Sequence, residues 1–595
     1  MAIYKKIVNR MLVTTALEDT WPLNNEPVAF LGEWCRLYGR KKSWEKYNAI
    51  VLPYHWDDRK KLHNDFIYLK TLNEELLLDL SEKLNALHNV NYSLRYWRIL
   101  VGPWLAIFSQ IVFDRWQMIQ YALHKTNLSG AHVLYYKKNQ FVPNDMIEFN
   151  SLFLKDSWNE FIYASILDWM KFPVDRINVQ YKKYNACKNN YSVNLTGKIK
   201  NKITQTLDFL SGVFCRDSDY FLYSSFLTKK DEAYLQIKLG QIPSFWEYVP
   251  SPKLQFNLNS RQWTLLSSNN SVEFSSFLRT LIPKHIPTNY LEGYESLVSL
   301  TGKLPWPKKP KAIFTATGFF HDDIFKAWLA KKTEEGVPFI SAQHGGQYGI
   351  GSWFFWEDHQ ITISDYFLTW GWSQQGQSKI IPIGNLKGYS QSYTLKKTGS
   401  AILVGIAMPR QSYAMLSGIV SAKQWQEYFN DQCRFISALP FNLRNQVIVR
   451  LYPNDYEHSQ KERWRSFFPD IQLDEGKQSL KMKKIRLYIA TYNATTFLES
   501  MALNCPTIIF WNPKHWEIRD SAISYFKNLK SVGIFHETPE SAAKQMVIVL
   551  GNIEGWWNSE EVQSARMNFC KRYAYIPEKP LEKLEKIFRK ITDTP

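Results

Sequence analysis

The sequence predicts an α/β protein of two parallel-sheet domains that share a cleft. Three features carry that expectation. From 401 to 592, apolar runs of strand length alternate regularly with amphipathic stretches of helix length. A shorter series of the same kind runs from 312 to 372. The turns after these runs carry Gly, Thr, Asn and His, residues suited to the carboxyl ends of strands in open α/β sheets, where ligands bind. At 595 residues the chain exceeds what one hydrophobic core sustains. A boundary near 390–400 gives a first domain, 1–395, with large helical insertions and a second, 396–595, of doubly wound type.

The elements follow from local pattern. "MLVTTAL" (11–17) and "PVAFLG" (27–32) read as short buried strands bounded by turn residues. Leu62, Phe66, Leu69, Leu72, Leu76, Leu80, Leu84 and Leu87 fall on one helical face, predicting a helix over 60–88. A more apolar helix over 93–124 should break or kink at Pro103. Between 145 and 300 helical patterns and loops mix without a clear order. "AIFTATG" (312–318) is a strand and "DDIFKAWLAKKTEEG" (322–336) a helix closed by Gly336. Strands then follow at "VPFISAQHG" and "DYFLTWGW" (365–372), and a polar connector runs to Gly399. Strands at 401–407, 447–453, 486–492 and 506–511 alternate with helices at 421–438, 457–467, 495–503 and 517–528. Helices at 538–550, 559–574 and 579–592 complete the chain.

Composition narrows the function. The formal charge of +18 implies an anionic partner: nucleic acid, acidic lipid headgroups or a phosphorylated substrate. Lys182 to Lys202 holds six Lys and no Asp or Glu, which reads as a solvated loop or as a contact with anionic membrane. No helix-turn-helix, zinc-finger or RNA-recognition pattern accompanies the charge, so no nucleic-acid partner is expected. The six Cys lie scattered without metal-ligand spacing, consistent with reduced thiols. The 23 Trp suit either a large core or a cleft for sugar rings. The first 21 residues lack a signal-peptide core, and the most apolar window (99–113) is shorter than the roughly 20 residues of a spanning helix. A cytoplasmic protein is expected, peripheral on the cytoplasmic face of the inner membrane.

Candidate site residues sit at strand ends. "TYNATT" (491–496) opens a helix after a buried strand, and a helix N-terminus binds anions. Asn493, Thr495 and Thr496 can add contacts to phosphate, and Glu499, one turn on, can accept from ribose hydroxyls. The plain alternative is an ordinary capped helix with a first-turn acid. Arg450 and Tyr452 in "VRLYP" end a strand of the same domain; Arg450 can clamp phosphate or serve a structural ion pair. Arg410 in "GIAMPR" ends another. In "SAQHGGQYGIG" (341–351), Gln343, Gly345 and Gly346 would let an acceptor approach the backbone, and His344 is a general base or a phosphate contact. Glu18 and Asp19, after the first strand, are rival bases or turn caps. Arg95 and Arg98 could bind an acidic sugar or lipid pyrophosphate. Asp57-Asp58 lacks a third acidic ligand nearby, and no metal is expected.

The 487–513 segment resembles the nucleotide-binding half of GT-B glycosyltransferases, with "NATT" in place of the usual glycine pair. "VRLYP" is similar to the R-x-H-P strand end of polyglycerolphosphate and capsule transferases, with Tyr452 at the His position. Gln343-His344-Gly345 resembles their QHG loop. "LVTTALEDTWP" (12–22), "FLGEWCRLY" (30–38), "PYHWDDRKKL" (53–62) and "SLRYWRILVGPWL" (93–105) together resemble the LIC12162-type transferases of bacterial O-antigen and surface-carbohydrate loci. That resemblance implies a GT-B-like fold and a metal-independent glycosyltransferase without cofactor. It would move a sugar from a nucleotide-sugar to a lipid-linked or oligosaccharide acceptor. A phosphotransferase moving a polyol phosphate from a CDP-linked donor fits Arg450 and His344 equally.

Overall fold

The computed structural model describes residues 8–23, 26–137, 139–178, 212–265, 273–386, 393–395, 398–476 and 485–593. The lysine-rich 182–202 stretch lies outside them. The α/β class holds, and every strand pair among the described residues is parallel. The sheets number three rather than the expected two, because 1–395 carries two of them.

The first sheet holds β1 (Arg10–Val13), β2 (Val28–Phe30), β3 (Ala49–Val51), β4 (Leu128–Leu134) and β5 (Val174–Ile177), in the order β3-β2-β1-β4-β5. The second holds β6 (Phe221–Tyr223), β7 (Ile313–Thr315), β8 (Phe339–Ala342), β9 (Tyr366–Thr369) and β10 (Ile380–Pro382), laid side by side in sequence order. The third holds β11 (Ser400–Val404), β12 (Val447–Arg450), β13 (Gln472–Asp474), β14 (Ile485–Ala490), β15 (Thr507–Phe510) and β16 (Phe535–His536), ordered β13-β12-β11-β14-β15-β16. The first and third sheets therefore reverse direction, between β1 and β4 and between β11 and β14. Such switch points are where doubly wound sheets bind ligands.

The helices follow from simple rules. Helix α1 (Arg59–His88) starts where the Asp58 side chain accepts from the amides of Lys60 and Lys61, and it ends at Asn89 in a left-handed conformation, φ 52°. Of its predicted face, Leu87 alone is exposed, in the last turn. Pro103 splits the next apolar stretch into α2 (Leu94–Leu100) and α3 (Gly102–Lys125), bent by 66°. Helix α3 is buried over most of its length, so the most apolar window of the sequence is core. No single helix among the described residues is long and apolar enough to cross a membrane. Eight tryptophans, Trp34, Trp56, Trp97, Trp104, Trp116, Trp158, Trp425 and Trp557, are essentially fully buried, so much of the aromatic excess fills cores.

Many contacts bind the units together, among them those of buried Arg115 and Gln110. The loop after β11 is held by the first unit: Arg115 Nη1 donates to Ser412 O at 2.7 Å, and Gln110 Oε1 accepts from Met415 N at 2.7 Å. Arg115 is itself buried beside Asp114 and gives two hydrogen bonds to Asn159, in α4 (Asp156–Trp169), so its charge is compensated. The second sheet is flanked by α5 (Lys229–Lys238) on one face and α6 (Asp323–Glu334) on the other. Helix α7 (Phe355–Ile363) follows β8, and α8 (Ala422–Ala438) and α9 (Thr495–Ala502) flank the third sheet. The last helix, α10 (Pro580–Asp593), lays Leu584, Phe588 and Ile591 on the same face of the second sheet as α5.

Candidate functional site

Strands β11 and β14 meet at the switch point of the third sheet, and their carboxyl ends are tied together. Thr491 Oγ1 donates to Val404 O at 2.7 Å and also meets the Tyr428 hydroxyl. The chain then passes Asn493 into α9. Ala494 is the N-cap residue and offers no capping side chain, so the first-turn amides of α9 lack the usual side-chain acceptor. Asn493 is 1% exposed, yet neither its amide oxygen nor its amide nitrogen has a hydrogen-bond partner. A buried amide left unpaired costs about 1–3 kcal/mol. At a helix N-terminus on a sheet switch point, a bound anion would accept from the unpaired Asn493 Nδ2.

The other predicted donor-side residues gather nearby. Thr496 Oγ1 accepts from Tyr488 Oη at 2.6 Å. Burial pushes the Tyr492 phenol up to about 12; hydrogen bonding to Thr496 and the charge of Arg450 oppose this, while Tyr452 and Glu499 add to it. The charges of Arg450 and Glu499 are thus felt at Tyr492, which Thr496 also meets. Arg450 also pairs with Asp474 on β13, the structural alternative set out for it.

The "SAQHGGQYGIG" loop meets this turn from the second sheet. Gly346 N donates to Thr495 Oγ1 at 2.9 Å. A Cβ on Gly346 would overlap the Ala494 carbonyl carbon and lie 2.6 Å from its Cα; one on Gly345 would lie 3.0 Å from Thr495 Oγ1. The glycines were expected to admit an acceptor. What they admit is the first turn of α9, because only a residue without a side chain lets the two backbones approach so closely. Gln343, expected at the same acceptor site, is a framework residue. Its Nε2 donates to Gly345 O at 2.9 Å, and its Oε1 accepts from Trp370 N at 3.0 Å and Trp372 Nε1 at 2.9 Å.

His344 is half-buried among Phe320, Tyr348 and Phe226. Its Nδ1 lies 3.2 Å from the Tyr348 hydroxyl. That hydroxyl donates to Gln360 Oε1 at 3.0 Å, and Gln360, on α7, is itself oriented because Nε2 donates to Ala342 O at 2.9 Å. With its proton directed to Gln360, Tyr348 Oη accepts from His344, the arrangement of the Nδ1–H tautomer.

Glu18 and Asp19 lie elsewhere. They sit in a short turn after β1, on a cavity of about 710 Å³ where the carboxyl ends of the first and third sheets face each other. Arg40 approaches Glu18 at 3.6 Å. None of residues 343–349 lines this cavity, so the rival bases occupy two different junctions of the third sheet. Arg410 lines it too, but as a clamp rather than an open phosphate ligand. The guanidinium is buried and pairs with Asp156 at 2.7 Å and Glu457 at 2.6 Å.

Two further expectations are corrected by packing. Arg95 donates to Ile363 O at 2.8 Å and pairs with Asp365 at 2.9 Å, bracing α2 against β9. Arg98 forks onto Glu74 of α1 at 2.6 and 2.5 Å. Neither reaches the strand ends that were expected to hold acceptor. Asp57 pairs with Lys423 and accepts from Gln424, while Asp58 caps α1. Among the described residues no three His, Cys, Asp or Glu side chains converge as a metal-ligand set. Tyr348 and Gln360 were missed. Tyr348 sits four residues after His344, and Gln360 lies on another element with no sequence cue to link them.

The profile of the family described as "LIC12162 family transferase" matches residues 10–588. No curated protein matches the chain. Solved structures of spinosyn rhamnosyltransferase SpnG, one complexed with spinosyn aglycone and one with thymidine diphosphate, each align at 9% identity and TM-score 0.27. They cover 50% of this chain and 77% and 76% of theirs.

Proposed function

The chain belongs to the LIC12162 transferase family, since that profile spans nearly all of it, and from this premise we propose that it is a glycosyltransferase using a nucleotide-sugar donor. One observation carries the donor site: the buried, unpaired amide of Asn493 beside the uncapped N-terminus of α9. A diphosphate there would receive the first-turn amides and the Asn493 amide nitrogen, with Arg450 adding charge and Glu499 accepting from ribose. His344 Nε2, on the facing loop, would take the acceptor hydroxyl proton as the new glycosidic bond forms. The bond from sugar carbon to donor phosphate breaks, and a nucleoside diphosphate leaves. We propose that no metal is required, because the helix N-terminus, Asn493 and Arg450 can balance the leaving charge. The acceptor is assigned as a lipid-linked glycan of O-antigen or surface polysaccharide, on the resemblance of the blocks at 12–22, 30–38, 53–62 and 93–105.

Incubation with UDP-, GDP-, CDP- and CMP-sugars and a glycan acceptor should release a nucleotide and add one sugar mass to the product. Release of CMP with phosphate retained in the product would replace this reading with polyol-phosphate transfer. Tyr348→Phe should lower kcat about 10-fold, the worth of one hydrogen bond, with the KM for donor unchanged. Equal loss in both parameters would mean that Tyr348 only supports the fold.

A further inference from the structure

The amino ends of the second sheet carry an apolar patch set among cations. Ile237, at the end of α5, is 61% exposed, and Ile242, just past Gly240, is 54% exposed. Arg216 Nη2 donates to Gly240 O at 2.6 Å, which sets 212–216 beside this turn and adds the exposed Val213 and Phe214. The 306–311 turn joins through Lys309 N, which donates to Asp217 O at 2.9 Å. It brings Lys308, Lys309 and Lys311, all exposed, toward the same edge as Arg216 and Lys238. The acids there have cationic neighbours: Asp219 is buried against Arg216, Asp217 lies 4.0 Å from Lys308, Glu335 pairs with Lys332, and Glu585 pairs with Arg589.

Single exposed apolar side chains are ordinary, but four together inside a lysine-rich rim are not. A protein partner is a poor match, because lysine is depleted at such interfaces. Nucleic acid would use the cations and leave the isoleucines in water. A bilayer uses both: the apolar side chains enter the headgroup boundary and the lysines meet anionic lipid. We propose that this edge docks the protein on an anionic membrane surface. The edge precedes β6 and β7, whereas His344 follows the carboxyl end of β8, so docking leaves the His344 loop uncovered. The inference does not depend on the transfer reaction; it supplies the surface from which a lipid-linked acceptor would arrive.

The test is co-sedimentation of the full chain with vesicles of phosphatidylcholine, with and without phosphatidylglycerol. The protein should pellet with the anionic vesicles and stay in solution with the neutral ones. Lys308→Glu/Lys309→Glu/Lys311→Glu should weaken binding by at least about fivefold per lysine removed. Ile237→Ser/Ile242→Ser should weaken it too, with the melting temperature unchanged in both variants. Equal pelleting with neutral and anionic vesicles, or full binding by both variants, would overturn the proposal. So would preferential binding to random duplex DNA that the isoleucine variant retains.

Discussion

Gly346→Ala is expected to lower transfer about 100-fold while leaving most of the chain folded. The added methyl group would collide with the backbone of Ala494, not with the tip of a flexible side chain, so the loop or the first turn of α9 must move. Overpacking of this kind costs about 1–3 kcal/mol, a modest loss for a chain with several cores. The consequence for chemistry is larger, because the shift separates His344 from the donor turn, and a displacement near 1 Å can cost about 10²-fold in rate. The Gly346 N to Thr495 Oγ1 hydrogen bond would break in the same movement. Steady-state kinetics beside a melting curve separates the two effects. Unchanged activity would show that the close approach of loop and helix has no part in catalysis.

His344→Ala should lower kcat by about 10²–10⁴, the usual worth of a general base, with donor binding retained. The expectation rests on the Gln360–Tyr348–His344 chain, which orients the imidazole through Nδ1 beside the donor turn. If His344 held donor phosphate instead, the same substitution would raise the donor KM and spare kcat. A smaller loss than that of Glu18→Gln would transfer the role of base to the 710 Å³ cavity between the first and third sheets.

Much of the fold was readable where burial imposes a regular period. Strands β7, β8, β9, β11, β12, β14 and β15 and helix α1 emerge near their predicted bounds because a strand buried on both faces is a continuous apolar run, and a half-buried helix repeats every three to four residues. β3 and β5 escaped notice because their residues are only partly buried, and Val174–Ile177 mixes Asp and Arg with its apolar ends. β16 is two residues long, too short for any period. The separate second sheet stayed hidden because β6 is three residues long and ninety residues from its neighbour β7 along the chain.

The site was legible in its strand ends and not in its pairings. Asn493, Thr495 and Thr496 follow β14 and Arg450 and Tyr452 end β12, strand-end positions of one sheet that the repeat indicates, with Glu499 a turn into α9. Which side chain satisfies which is set by tertiary contact. Nothing in "QHGG" tells that Gln343 is spent on Trp370 and Trp372, or that the glycines receive α9 instead of a ligand. The arginines show the same limit: Arg95, Arg98 and Arg410 are alike in sequence to a phosphate-binding Arg, and only their carboxylate neighbours assign them to the framework.

The central claim is that the donor binds against Asn493. Calorimetric titration of nucleoside diphosphates and CMP into the wild-type protein and Asn493→Leu tests it most directly. Leucine has similar size and removes both unpaired polar atoms, so the ligand-free variant should be as stable as the wild type or more so. Its affinity for the nucleotide that binds the wild type should nevertheless fall by at least about 10-fold. Unchanged affinity in the variant, or no nucleotide binding by the wild type, would contradict the account.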